Sequence, residues 1–107
     1  MSSREIYEQN AVLLRAVSHP VRLCIVRLIA KNGECNVSSL ECSAKASQSS
    51  VSQHLAKLKA AGVIKGRRLG SEVYYSLDSK KIKEIVDILF GEEETQERGR
   101  RIQSGIL

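Results

Sequence analysis

Ser47-Gln48-Ser49-Ser50-Val51-Ser52-Gln53-His54-Leu55-Ala56-Lys57-Leu58-Lys59-Ala60-Ala61-Gly62 is the stretch on which the reading of the whole chain turns. Val51, Leu55, Leu58 and Gly62 recur at helical intervals and form a stripe that can rest on a core. Ser49, Ser50, Gln53, His54 and Lys57 fall off that stripe, and each carries a hydrogen-bond donor. Serine and glutamine are middling helix formers, because short polar side chains compete for backbone hydrogen bonds, so helix stability does not explain a Ser/Gln-rich first turn. A DNA major groove does: such side chains bond to base edges and phosphates, and their small size lets a helix enter deeply. The competing explanation is a solvated surface helix that opens on an ordinary capping sequence.

Charge supports the groove. The chain has 107 residues and a net charge of +5. From Cys42 to Ser71 stand Lys45, Lys57, Lys59, Lys65, Arg67 and Arg68 with no acid, while the remainder is almost neutral. Local positive charge of this kind fits a phosphate-binding surface. Few aromatics, three Tyr and one Phe, disfavour stacking on single strands. An enzyme lacks parts, since the two histidines have no acid or nucleophile at a recognisable spacing. A winged-helix module for protein contacts or RNA remains the alternative to a DNA-binding regulator. No apolar run is long enough to span a membrane and the first residues form no secretory signal, so a cytoplasmic protein is expected.

Outward from the central stretch, Val37-Ser38-Ser39-Leu40 begins a short helix to about Ala44, capped by Ser38 or a neighbour. A short helix, a turn and a polar-faced helix form a helix-turn-helix. Upstream, Ile6, Leu13, Leu14 and Val17 mark a first helix over about Ser2 to Val17, which Ser18-His19-Pro20 ends. Val21, Cys24, Ile25, Leu28 and Ile29 mark a second from Pro20 to Lys31, stopped by Asn32-Gly33. Downstream the period falls to two: Val63 to Arg68 and Glu72 to Leu77 read as strands joined through Leu69-Gly70-Ser71. A last helix, about Ser79 to Phe90, carries Ile82, Ile85, Val86 and Leu89 on one side, with Asp78 or Ser79 as its cap.

The expected fold is mainly α with a β-hairpin wing, a winged helix-turn-helix in the order α-α-α-α-β-β-α. One DNA-binding and dimerisation domain spans residues 1–90, followed by a mobile charged tail over 91–107. The first and last helices each carry an apolar stripe that so small a core cannot cover, so a homodimer through those helices is expected. Such a pair presents two recognition helices to one face of duplex DNA about one helical turn apart.

Ser18-His19-Pro20-Val21-Arg22-Leu23, Leu28, the run Ser47 to Leu55 with Leu58, Ala61-Gly62-Val63, and Arg67-Arg68-Leu69-Gly70 leading to Tyr74-Tyr75 occur in this order. Over about residues 11 to 78 the chain resembles the ArsR/SmtB family of bacterial winged-helix repressors. The resemblance implies a dimeric repressor that holds double-stranded operator DNA, an imperfect palindrome, and leaves it on sensing a metal ion, a metalloid or a reactive sulfur or oxygen species. By position it makes Ser47, Gln48, Ser49, Ser50, Ser52, Gln53, His54 and Lys57 the DNA-reading set, with Arg67 and Arg68 as wing contacts. Ser71 and Glu72 stand where many members have further basic residues.

The sensing positions of such proteins are mostly absent. Where many members carry Cys-Val-Cys, this chain has Asn36-Val37-Ser38. The last helix has no histidine, and Glu84 with Asp87 makes a poor zinc site. Sulfur-sensing members pair a cysteine of the second helix with one of the last; Arg27 occupies the second-helix position and no cysteine follows Cys42. Cys24, Cys35 and Cys42 remain as candidates, through oxidation or persulfidation, through a three-thiolate site for a metalloid such as arsenite, or with no sensing role at all. An apolar surround makes Cys24 a packing residue first. His19 reads as a capping or packing group rather than a ligand.

Overall fold

The computed structural model describes residues 2–44 and 46–99, with 42–44 and 92–99 described as backbone only. The order is α1 (Ser3–Val17), α2 (Pro20–Asn32), β1 (Cys35–Asn36), α3 (Val37–Ala44), α4 (Gln48–Ala60), β2 (Ile64–Leu69), β3 (Glu72–Leu77) and α5 (Lys80–Gly99). The expected winged helix-turn-helix is present with one addition. β1 joins the hairpin on the far side of β3, giving a three-stranded antiparallel sheet in the order β1-β3-β2.

Local chemistry sets most of the boundaries. Ser2 Oγ accepts from the Glu5 amide to start α1, and His19 Nδ1 accepts from the Val21 amide to start α2, with Pro20 at the first turn. Gly33, at φ 85°, closes α2. Asn36 Oδ1 accepts from the Ser39 amide at 3.0 Å, so the cap of α3 is Asn36 rather than Ser38. Ser79 Oγ caps α5 through the Ile82 amide.

The exit from α4 is a full Schellman arrangement. The Val63 amide donates to the Leu58 carbonyl and the Gly62 amide to the Lys59 carbonyl, both at 3.0 Å, while Gly62 takes φ 81°. Gly62 is therefore a left-handed terminus and not the last position of the apolar stripe. The turn sends Val63 and Ile64, both buried, straight from the helix into the core as β2 begins. Across the hairpin Ile64 faces Leu77 and Leu69 faces Glu72, which leaves Gly70-Ser71 as a two-residue turn.

Ile25 and Ile29 of α2, Leu40 of α3, Val51, Leu55 and Leu58 of α4, and Ile82 and Val86 of α5 fill one core. The positions that hold α4 from behind are thus its predicted apolar ones. Backbone helix continues past Phe90 to Gly99, correcting the expected end of the last helix. The rest of the proposed tail, 100–107, lies outside the described residues.

Candidate nucleic-acid interface

α4 presents two chemically distinct faces. Val51, Leu55 and Leu58 point into the core, and Ser47, Gln48, Ser49, Ser52, Gln53 and Lys57 are exposed. Ser50 is half-buried. The Ser47 hydroxyl accepts from the Ser50 amide at 3.2 Å, so it serves first as the cap that squares off the N-terminal turn. The amides and hydroxyls of the following turn are left to solvent. Lys57 and Lys59 in the last turn complement the helix dipole and add charge beside that face.

His54 departs from its expected place among the outward-reaching groups. It is half-buried, its ring centroid lies 4.7 Å from that of His19 at a tilt of 50°, and its Nδ1 is buried without a partner. Burial first, then the neighbouring positive groups His19, Arg22 and Lys57, hold its pKa below the ordinary histidine value. The ring packs the side of α4 against the cap of α2. His19 is likewise a capping and packing residue.

On the wing, Arg68 is exposed and Arg67 is exposed but engaged. Arg67 donates from Nε to Glu34 Oε2 at 3.1 Å and from its terminal nitrogen to Oε1 at 2.9 Å. Its guanidinium also lies 5.7 Å from the Tyr74 ring centroid. The Arg67 hydrogen bond pulls the Glu34 pKa down, and Glu34 raises that of Arg67. Glu72 accepts from Asn36 Nδ2 at 3.0 Å. It ties the third strand to the residue that caps α3. A Cβ at Gly66 would lie 3.0 Å from Val73 Cγ1 and 3.3 Å from the Tyr75 ring, so those side chains would have to give by a few tenths of an ångström to admit one.

A polar helix face, a braced hairpin beside it and local basic charge fit a phosphate-bearing duplex, and known proteins share this arrangement. The profile of the arsR family of bacterial regulatory proteins matches residues 19–65. The transcriptional repressor PagR of Bacillus anthracis is 40% identical over 77% of this chain and 82% of its own length. The chain belongs to the ArsR family. The PagR crystal structure superposes with a TM-score of 0.75, at 38% identity over 81% of this chain and 99% of that one. Reduced HlyU of Vibrio cholerae gives 0.76, at 32% identity over 81% and 90%. The repressor SmtB of Mycobacterium tuberculosis is 43% identical over 78% of this chain and 61% of its own. Like these ArsR-family relatives, this protein is a DNA-binding transcriptional regulator.

Two of the three candidate sensing residues are enclosed by the core. Cys24 and Cys35 are free and buried. Burial pushes both thiols up in pKa, outweighing the opposing pull of Arg27 on Cys24 and of the Asn32 hydrogen bond on Cys35. The Cys35 thiol lies 3.7 Å from the Leu28 carbonyl as a weak donor. Cys42 sits on α3 with its side chain outside the described set. Among the described residues no three His, Cys, Asp or Glu side chains converge as metal ligands. Arg27 of α2 is buried with its guanidinium 4.6 Å from the Phe90 ring centroid of α5. No described helix is long and apolar enough to cross a membrane.

Proposed function

We propose that this ArsR-family regulator is a homodimeric repressor that places its two α4 helices in successive major grooves of an imperfectly palindromic operator. The observation that carries this reading is the division of α4 into a buried Val51-Leu55-Leu58 stripe and an exposed Gln48-Ser49-Ser52-Gln53-Lys57 face. Ser49, Ser52 and Gln53 supply hydrogen bonds to base edges; Gln48, Lys57 and Arg68 supply contacts to phosphate. Dimerisation through α1 and α5 is supported by their uncovered apolar residues. Tyr7 is 75% and Ile88 81% exposed, joined by Ile6, Leu14 and Leu89. The two helices are neighbours, since Lys81 Nζ donates to Asn10 Oδ1 at 2.9 Å.

Anisotropy of a labelled duplex from upstream of the regulator's own gene, titrated at several salt concentrations, tests the binding mode. Affinity falls steeply with salt if phosphates are contacted, because bound counterions are released.

Release of the operator on modification of a cysteine, or on binding of a metalloid such as arsenite, completes the repressor reading. A ligand that favours a dimer geometry mismatched to successive grooves lowers DNA affinity, typically by about 1–3 kcal/mol. The burial of Cys24 and Cys35 favours a second reading, in which the protein regulates transcription with no thiol sensor. Adding arsenite, zinc or an organic polysulfide to the protein–DNA complex separates them. Release that is lost in Cys35→Ser and Cys42→Ser supports the sensor; release that persists in the triple serine variant removes it.

A further inference from the structure

Between residues 42 and 71 the sequence holds six cations and no acid, but the fold brings one in from outside. Glu34, in the link from α2 to β1, reaches Arg67 on β2 with both carboxylate oxygens, at 2.9 and 3.1 Å. A carboxylate presented this way to a guanidinium offers the paired acceptors that a backbone phosphate offers. Both partners keep access to solvent, Arg67 at 56% and Glu34 at 39% side-chain exposure. Exposed pairs of this kind are held weakly and are screened by salt, so another anion can replace the carboxylate.

The wing does not depend on this pair for its place. The β1–β3 and β2–β3 ladders and the Asn36–Glu72 hydrogen bond hold it independently. Glu72 is occupied by a neutral amide, so the acid that sits on a wing arginine is Glu34.

We propose that Glu34 is an internal competitor for DNA: its carboxylate occupies the Arg67 guanidinium in the free protein, and a backbone phosphate displaces it in the complex. The inference rests on the duplex-binding reading above. Its consequence is that Glu34 sets the strength and salt dependence of binding without altering the sequence recognised.

Salt titrations on one duplex with wild type, Glu34→Gln, Arg67→Ala and the double variant test it, with thermal melts to confirm folding. Glu34→Gln is expected to bind about two- to fivefold tighter at 0.1 M salt, the worth of an exposed pair, with a steeper log–log salt slope, because salt also weakens the internal pair of wild type and so narrows the gap between the two proteins. Arg67→Ala in the same chain is expected to cancel that gain. Unchanged or weaker binding by folded Glu34→Gln overturns the proposal, as does a gain that survives in the double variant, which would make Glu34 a general source of repulsion. Wild type that binds no duplex would overturn the regulator reading itself, an outcome separate from either of these.

Discussion

At the residue scale, His54 makes the clearest connection between burial and pH. Its ring is wedged against His19 with Nδ1 out of water, and burial together with His19, Arg22 and Lys57 disfavours its charged form. The folded-state pKa is thus depressed below the unfolded value of 6.5. The stability this contributes is present in full above pH 6.5 and is lost as pH falls through the folded value. The melting temperature is expected to fall between pH 7 and pH 5, and to fall less in His54→Gln; equal slopes for the two proteins would remove His54 as the cause. Gln53, the preceding residue of the same helix, is open to solvent. Gln53→Ala is expected to cost about 1–3 kcal/mol on the preferred duplex and little on random DNA, as measured by anisotropy. The polar and apolar faces of α4 were legible from residue spacing alone. The fate of His54 was not, because a helical wheel sets it at the edge of the apolar stripe, flanked by Val51 and Leu58, but cannot report that His19 packs there.

At the scale of elements, Asn36 does three jobs in a two-residue strand. It pairs opposite Tyr74, caps α3 through Ser39 and donates to Glu72. Asn36→Ala removes the cap and the link together, and is expected to lower unfolding free energy by about 1 kcal/mol or somewhat more in urea titrations. An unchanged midpoint would show that β1 pairing alone holds this junction. Such a strand could not be read from the sequence, since two residues carry no alternation and the partner on β3 is far away in the chain. The helix boundaries set by His19-Pro20 and Gly33 were legible, because capping chemistry is local, whereas Gly62 read as the last position of the apolar stripe and its left-handed turn did not show in the spacing. The extension of α5 to Gly99 was missed for another reason. Glu-Glu-Glu-Thr-Gln-Glu-Arg reads as a charged tail, yet Glu, Gln and Arg are good helix formers and can extend a helix whose first turns are anchored by Ile82 and Val86.

At the scale of the molecule, the apolar residues of α1 and α5 fall into a buried set and an exposed set. Val17, Ile82 and Val86 are buried in one chain, whereas Tyr7, Leu14, Ile88 and Leu89 are left outside it. A second copy would cover them, and simultaneous binding of two half-sites multiplies affinity. Ile88→Asp is expected to reduce the sedimenting species from twice 11.8 kDa to a single chain and to weaken operator binding by about 100-fold or more. A dimer that survives Ile88→Asp and Leu14→Asp together would place the interface elsewhere.

The central claim is that α4 reads duplex DNA in symmetric pairs. Selection of binding sites from a pool of random duplexes tests it directly. The account predicts enrichment of an imperfect palindrome whose half-sites are centred about one helical turn apart, roughly 10–10.5 base pairs. Recovery of an unstructured pool, or of a single unpaired half-site, would contradict it.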